Sequence, residues 1–298
     1  MKKHISFIFF FISTFTYSQH RPLYSSYLFN EILINPASTG SAGALSVSLN
    51  YRSQWAGSKI PGAPETYAAS IHTPLFIKYF ATGFQVSQDK IGVTSTTELF
   101  NSYAFRFLLN KTTFSIGAQL GYSNIRNDYS EVSPTLTNKD DITFQQNINI
   151  NRPKYGYGIY IYHRKYFFSY SMPSRYFQTD VNTYNYDQQF VGAGYNFRVS
   201  SYLIIKPSTL IKIIKGSDLQ MDANLLLGVT KYAVGGISYR INETIVLLAQ
   251  IKITQQMSLG YSFDYPQNSL RNYGPSHEFL LRYDFKYSVK DLNVKTFL

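Results

Sequence analysis

Cysteine is absent from this 298-residue chain, which excludes a disulfide framework and any thiolate metal site. Charge is scarce at 15% of residues, against roughly a quarter in ordinary globular proteins. The histidines His4, His20, His72, His163 and His277 are scattered with no HxxxH or HExxH spacing, so no metal site is expected. Asp140-Asp141, beside Asn138 and Lys139, lacks the ligand pattern of a calcium loop. Glycine-rich phosphate loops are missing, and Gly192-Ala193-Gly194 and Gly235-Gly236 read as packing room inside strands. A Ser/His pair for a barrel lipase would draw on His72 or Ser276-His277, but adjacency puts Ser276 and His277 on opposite faces of a strand. Neither an enzyme nor a cofactor is expected. The formal charge is +11, yet no Lys/Arg run exceeds two residues, which argues against a nucleic-acid partner.

What the chain has in excess is aromatics, 17% of residues with Tyr 27 and Phe 23. Residues 1–18 read as a secretory signal peptide: Lys2 and Lys3, an apolar run from Ile5 to Phe15, then Thr16-Tyr17-Ser18 before Gln19. That run is short for a membrane-spanning helix, and no later stretch approaches the roughly 18 apolar residues one needs. The expected product is exported and carries +9 once Lys2 and Lys3 are discounted.

From residue 44 onward the pattern has period two. Leu45, Val47, Leu49 and Tyr51 oppose Ala44, Ser46, Ser48 and Asn50; Phe114, Ile116, Leu120 and Tyr122 oppose Ser115, Gly117, Gln119 and Gly121. About fourteen strands follow, near 44–53, 65–73, 79–89, 95–107, 112–122, 153–163, 166–172, 188–200, 201–211, 218–230, 231–240, 243–253, 255–265 and 276–287. Most have the about 9–11 residues that a tilted strand needs to cross a bilayer. The polar face carries isolated charges, among them Arg106, Asp222, Lys252, Asp264, Glu278, Arg282, Asp284 and Lys286. A barrel lumen tolerates these, whereas the core of a soluble sandwich would not. Aromatics at strand ends, as at Tyr79-Phe80, Tyr166-Phe167-Phe168 and Tyr283-Phe285-Tyr287, fit interfacial girdles. Connections after odd-numbered strands are mostly long (54–64, 123–152, 173–187, 266–275), and those after even-numbered strands mostly tight (108–111, 164–165, 230–231). The reading is an all-β transmembrane antiparallel barrel spanning 44–287. Before it, 19–43 forms a periplasmic or lumen-filling lead-in; after it, 288–298 forms a tail.

The lead-in and first strand carry a specific cluster of motifs. Tyr27, Phe29 and Asn30 are followed by Asn35, Pro36, Ala37 and Gly40, then Tyr51, Arg52, Gln54 and Trp55, then Gly62 and Pro64. Further on stand Asp89-Lys90-Ile91-Gly92, Tyr103-Ala104-Phe105-Arg106, and a closing run that holds Asp264, His277 and Glu278. This set resembles the PorP/SprF family of outer-membrane proteins associated with type IX secretion and gliding motility. The resemblance implies a barrel that helps export or surface-anchor adhesin-like cargo bearing a type IX C-terminal domain, or that tethers the secretion machinery to the outer membrane. It marks the motif residues as candidates for partner contact and names machinery, cargo and outer-membrane lipid as partners. A diffusive porin shares the same barrel and stays open as the alternative. The apolar lead-in, with Tyr24, Tyr27, Leu28, Phe29, Ile32, Leu33 and Ile34, calls for cover from the barrel's own mouth or from a partner.

Overall fold

The computed structural model describes residues 24–57, 60–75, 79–129, 147–177, 187–215, 217–229 and 232–285. The leader, Arg21, Asp140-Asp141, Lys286, Tyr287 and the tail lie outside them. The strands are β1 Ser46–Ser53, β2 Glu65–Pro74, β3 Phe80–Ile91, β4 Thr94–Leu109, β5 Thr112–Asn127, β6 Ile148–Tyr162 and β7 Tyr166–Tyr176. They continue as β8 Gln188–Tyr195, β9 Phe197–Arg198, β10 Leu203–Ile214, β11 Gln220–Val229, β12 Ala233–Arg240, β13 Thr244–Lys252, β14 Met257–Pro266 and β15 Ser276–Asp284. Fourteen of them close into one antiparallel barrel, and the two-residue β9 pairs only with the start of β10. Closure joins β1 to β15, with Ser46 opposite Asp284 and Ser53 opposite His277. A closed ladder satisfies every strand's backbone inside lipid, where no water could.

The solvent preference of the two faces is inverted relative to a soluble sheet. Ser46, Ser48, Asn50 and Arg52 of β1 are buried in the lumen, while Leu49 is 51% exposed on the outside. Gln119 of β5 is buried and its neighbour Leu120 is 59% exposed. Aromatic contacts ring the outside at both ends. At one end Phe80, Phe105, Phe107 and Phe114 form a chain with centroids 5.3–6.2 Å apart. At the other, Tyr51–Tyr67 and Tyr261–Phe279 lie 4.9 and 5.1 Å apart. Phe167 is the exception to the expected girdle: it turns inward and packs on Tyr160 at 6.2 Å.

Several boundaries differ from the sequence reading, each for a local reason. The strand expected over 188–200 breaks at Asn196, whose backbone N–H and side chain donate to the Lys165 and Arg164 carbonyls. The one expected over 166–172 runs through Pro173 to Tyr176, because a register shift at Tyr155/Tyr157 accommodates the missing donor. β5 and β6 extend to 127 and from 148, cutting short the loop expected over 123–152. There Asn124 donates to Asn149 at 2.6 Å and to Asn151 at 2.5 Å. Four of the seven connections at one end are long, while both β1 and β15 meet the other, short-turn end. Long loops face outward in such barrels and short turns face the periplasm.

Candidate functional site

Residues 24–43 of the lead-in lie inside the barrel, against its wall. Three short 3-10 turns, Ser25–Leu28, Glu31–Leu33 and Pro36–Ser38, carry it across. Asn35 sits extended at φ −139° and accepts from the Ala37 N–H at 2.9 Å, with Pro36 at the first position of the turn. Tyr27, Phe29, Asn30, Ile32, Ile34, Asn35 and Ala37 are all buried.

The plug's hydrogen bonds and apolar contacts together reach most of the strands. Asn30 donates to Ser48 at 2.9 Å and to Asn50 at 3.2 Å on β1. Asn35 donates to Ser169 of β7 at 2.7 Å, while Ser171 and Ser115 donate to the Ile34 and Ala37 carbonyls, each at 2.6 Å. Thr39 bonds Ser102 of β4 at 3.0 Å. The Gly40 N–H donates to His72 at 2.9 Å and Arg106 donates to the Gly40 carbonyl. Apolar anchors divide between Phe29, packed with Leu226, Val246, Leu248 and Leu280, and Tyr27 with Ile34, Phe190 and Leu210. Of the apolar lead-in residues, Tyr24, Tyr27, Phe29, Ile32 and Ile34 are buried, and Leu28 and Leu33 half-buried.

One feature of the wall and one of the plug are shaped for this fit. Gly117 and Gly158 stand directly opposite each other on β5 and β6, leaving a niche for the Asn35-Pro36-Ala37 turn. A Cβ at Gly117 would lie 2.3 Å from the Ala37 nitrogen, and one at Gly158 2.2 Å from the Asn35 Oδ1. Gly40 has φ +73°, and a Cβ there would lie 2.5 Å from that of Ala81.

Toward the long-loop end the plug is tied to charge. Arg52 of β1 bridges Asp264 at 2.8 Å and Glu278 at 3.2 Å, all three nearly fully buried. The Ser25 N–H donates to Glu278 and its hydroxyl to Asp264, each at 2.7 Å, and Ser26 also donates to Glu278. Arg240 adds a fork onto Asp222 at 3.1 and 3.3 Å, and Lys154 meets Glu98 at 2.5 Å. Buried pairs of this kind are specific rather than strongly stabilising, but breaking one leaves an uncompensated charge.

Above this cluster Gln54, Trp55, Gly62, Pro64, Asp89 and Gly92 form one rim sector, while Tyr103-Ala104-Phe105-Arg106 lies toward the short-turn end of β4. Trp55, at φ +54°, packs on Tyr273 at 5.8 Å, and its backbone N–H donates to the Ser276 hydroxyl at 3.2 Å. The Gln54 N–H donates to the Pro64 carbonyl, and that of Gly92 to the Gly62 carbonyl, both at 2.9 Å. Thr66 donates to Asp89 at 2.6 Å. His277 faces outward and bonds the Tyr261 hydroxyl at 2.7 Å, so it does not join inward-facing Ser276 or His72. Apart from that β4 stretch, the motifs therefore fall into two bodies, plug and rim, with Arg52, Asp264 and Glu278 joining them. Ser25, Ser26, Gly117, Gly158 and the Arg240–Asp222 pair belong to the same construction and carry no motif of their own.

Glu31 of the plug is packed beside Tyr160 and Ser169. Burial pushes its carboxyl up to about 7, against opposing hydrogen bonds from those two side chains. The folded protein therefore holds a proton that the unfolded chain releases near pH 4.5. Stability from this group is complete below that pH and is lost as pH rises to about 7, by up to about 3 kcal/mol. Urea unfolding should show the barrel more stable at pH 5 than at pH 8. Glu31→Gln should flatten the difference; an unchanged profile would remove Glu31 from this role.

The sequence profile described as type IX secretion system membrane protein PorP/SprF matches residues 16–283. Among solved structures, the P. putida toluene transporter TodX is similar at 8% identity, covering 87% of this chain and 95% of its own, with TM-score 0.51. The Acinetobacter baumannii outer membrane protein Omp33 is similar at 10% identity, covering 81% and 98%, with TM-score 0.49. No curated protein matches the chain in sequence. At such identity the TodX likeness speaks for the barrel fold alone.

Proposed function

The chain belongs to the PorP/SprF family of type IX secretion system membrane proteins, and from that premise we propose that it works as a plugged outer-membrane platform, not as a conduit. Its place is the outer membrane, as a component of type IX secretion. Its finer role is to hold secreted cargo bearing a type IX C-terminal domain, or the machinery that delivers it, at the faces of the barrel. The observation that carries this reading is the lead-in, which is bonded to the lumenal wall where a porin keeps an open channel.

Planar-bilayer recording tests the occlusion and affinity purification tests the partnership. The wild-type protein should give no steady conductance, and type IX proteins should co-elute with it. Phe29→Ala removes the centre of an apolar cluster, at a cost of about 3–5 kcal/mol. It should loosen the plug, impair cargo export and still insert. Large, steady wild-type conductance together with normal cargo secretion in a deletion strain would establish the porin reading instead.

A further inference from the structure

The excess positive charge is gathered at the short-turn end. Inside that mouth, Arg106, Lys206, Lys252 and Arg282 lie on the lumenal face of β4, β10, β13 and β15. On the turns and the short strand around it stand exposed Lys111, Arg164, Lys165 and Arg198. The one acidic residue among the described strands and turns of that end is Asp284, already bonded to Arg282 at 2.9 Å. Glu31 lies farther in, half-buried in the plug against Tyr160 and Ser169. At the long-loop end the charges are mixed, as in the Arg52–Asp264–Glu278 and Lys154–Glu98 groups.

Within the mouth the cations are held close to one another. Lys206 and Lys252 are near enough to repel. Arg106 is 3% exposed; one of its nitrogens donates to the Gly40 carbonyl, and its guanidinium lies beside the Tyr162 hydroxyl. Like charges gathered in one mouth, with a single carboxylate among them, attract an anion that offsets their repulsion.

We propose that the short-turn mouth is a docking site for an acidic peptide segment of a periplasmic protein, seated beneath the plug on Lys206, Lys252 and Arg282. This rests on the platform reading and gives it a chemistry. The barrel wall decides against lipid as the occupant: headgroups reach the turns, but they cannot reach side chains that face the lumen. An extended chain rich in Asp or Glu fits, because it delivers several carboxylates in series through a narrow opening.

The test uses the full-length protein in phosphatidylcholine nanodiscs, with fluorescent octaglutamate as the probe at low ionic strength. Binding should occur and weaken steeply with salt. The mouth variant Lys206→Gln/Lys252→Gln/Arg282→Gln should bind at least tenfold more weakly. The turn variant Lys111→Gln/Arg164→Gln/Lys165→Gln should change binding little. Heat-modifiable gel migration verifies that each variant is a folded barrel. Absence of binding, equal binding by the mouth variant, or displacement by phosphate at matched ionic strength would overturn the proposal. So would loss confined to the turn variant with recovery on phosphatidylglycerol, which would assign the charge to lipid. None of these results bears on cargo export, which is measured separately in the deletion strain and judges the platform reading itself.

Discussion

Gly117→Val is expected to leave the barrel inserted while driving the lead-in out of the lumen. The new Cβ would lie 2.3 Å from the Ala37 nitrogen, 2.4 Å from its Cα and 2.4 Å from the Pro36 carbonyl carbon. These are backbone atoms of a turn fixed by Asn35 and Pro36, so no side-chain rotation relieves the contact. The strand itself accepts valine readily. The conflict therefore falls on the plug, whose polar groups can exchange wall contacts for water. Steady conductance should appear in planar bilayers where the wild type shows none, and protease should cut the lead-in. Gly158→Val on the facing strand should act in the same direction through Asn35. A Gly117→Val protein that stays closed, protease-resistant and wild type in its partners would show that the niche does not seat the plug.

Arg52→Leu should produce the largest loss of stability. It strips the bridging cation from Asp264 and Glu278 while leaving both carboxylates buried beside the closure of β1 and β15. Removing one member of such a group costs about 3–5 kcal/mol. The urea midpoint should fall accordingly, and added salt should do little to the difference because the group is shielded from solvent. The triple change Arg52→Leu/Asp264→Asn/Glu278→Gln should recover much of the loss, since each amide keeps one acceptor oxygen for a Ser25 bond and no charge is stranded. A single variant as stable as wild type would place the ion group among ornaments of the rim.

Much of the barrel was legible because lipid imposes a strict rule on each strand. Val47, Leu49 and Tyr51 could only face out once Ser46, Ser48 and Asn50 faced in, and the long and short connections fixed which end was which. The rule lapses above the membrane. The tops of β5 and β6 are rich in Asn and Arg, have water on both faces, and do not alternate. It lapses also inside the lumen, where 3-10 turns have no long period to read and the lead-in's route could not be traced. Arg52, Asp264 and Glu278 were recognised as motif residues, but more than two hundred residues separate Arg52 from the acids. Only the closure register makes them neighbours. A detectable signal was present: inward-facing charges of opposite sign at matching heights on the first and last strands. The glycine niche left no comparable mark, because a small residue in a strand says nothing about what presses against it.

The lead-in also bears on how the molecule is built. It precedes β1, yet Ser25 and Ser26 bond Glu278 on the last strand, 253 and 252 residues away. Most of the strands between contribute to the same surface. A peptide that arrives first and touches most of the wall serves as a mandrel: the sheet curls around it, and its diameter is gauged by the segment it encloses. The joining of β15 to β1 and the capture of Ser25 then become one event, so a chain lacking β15 should have neither a sealed wall nor a seated core.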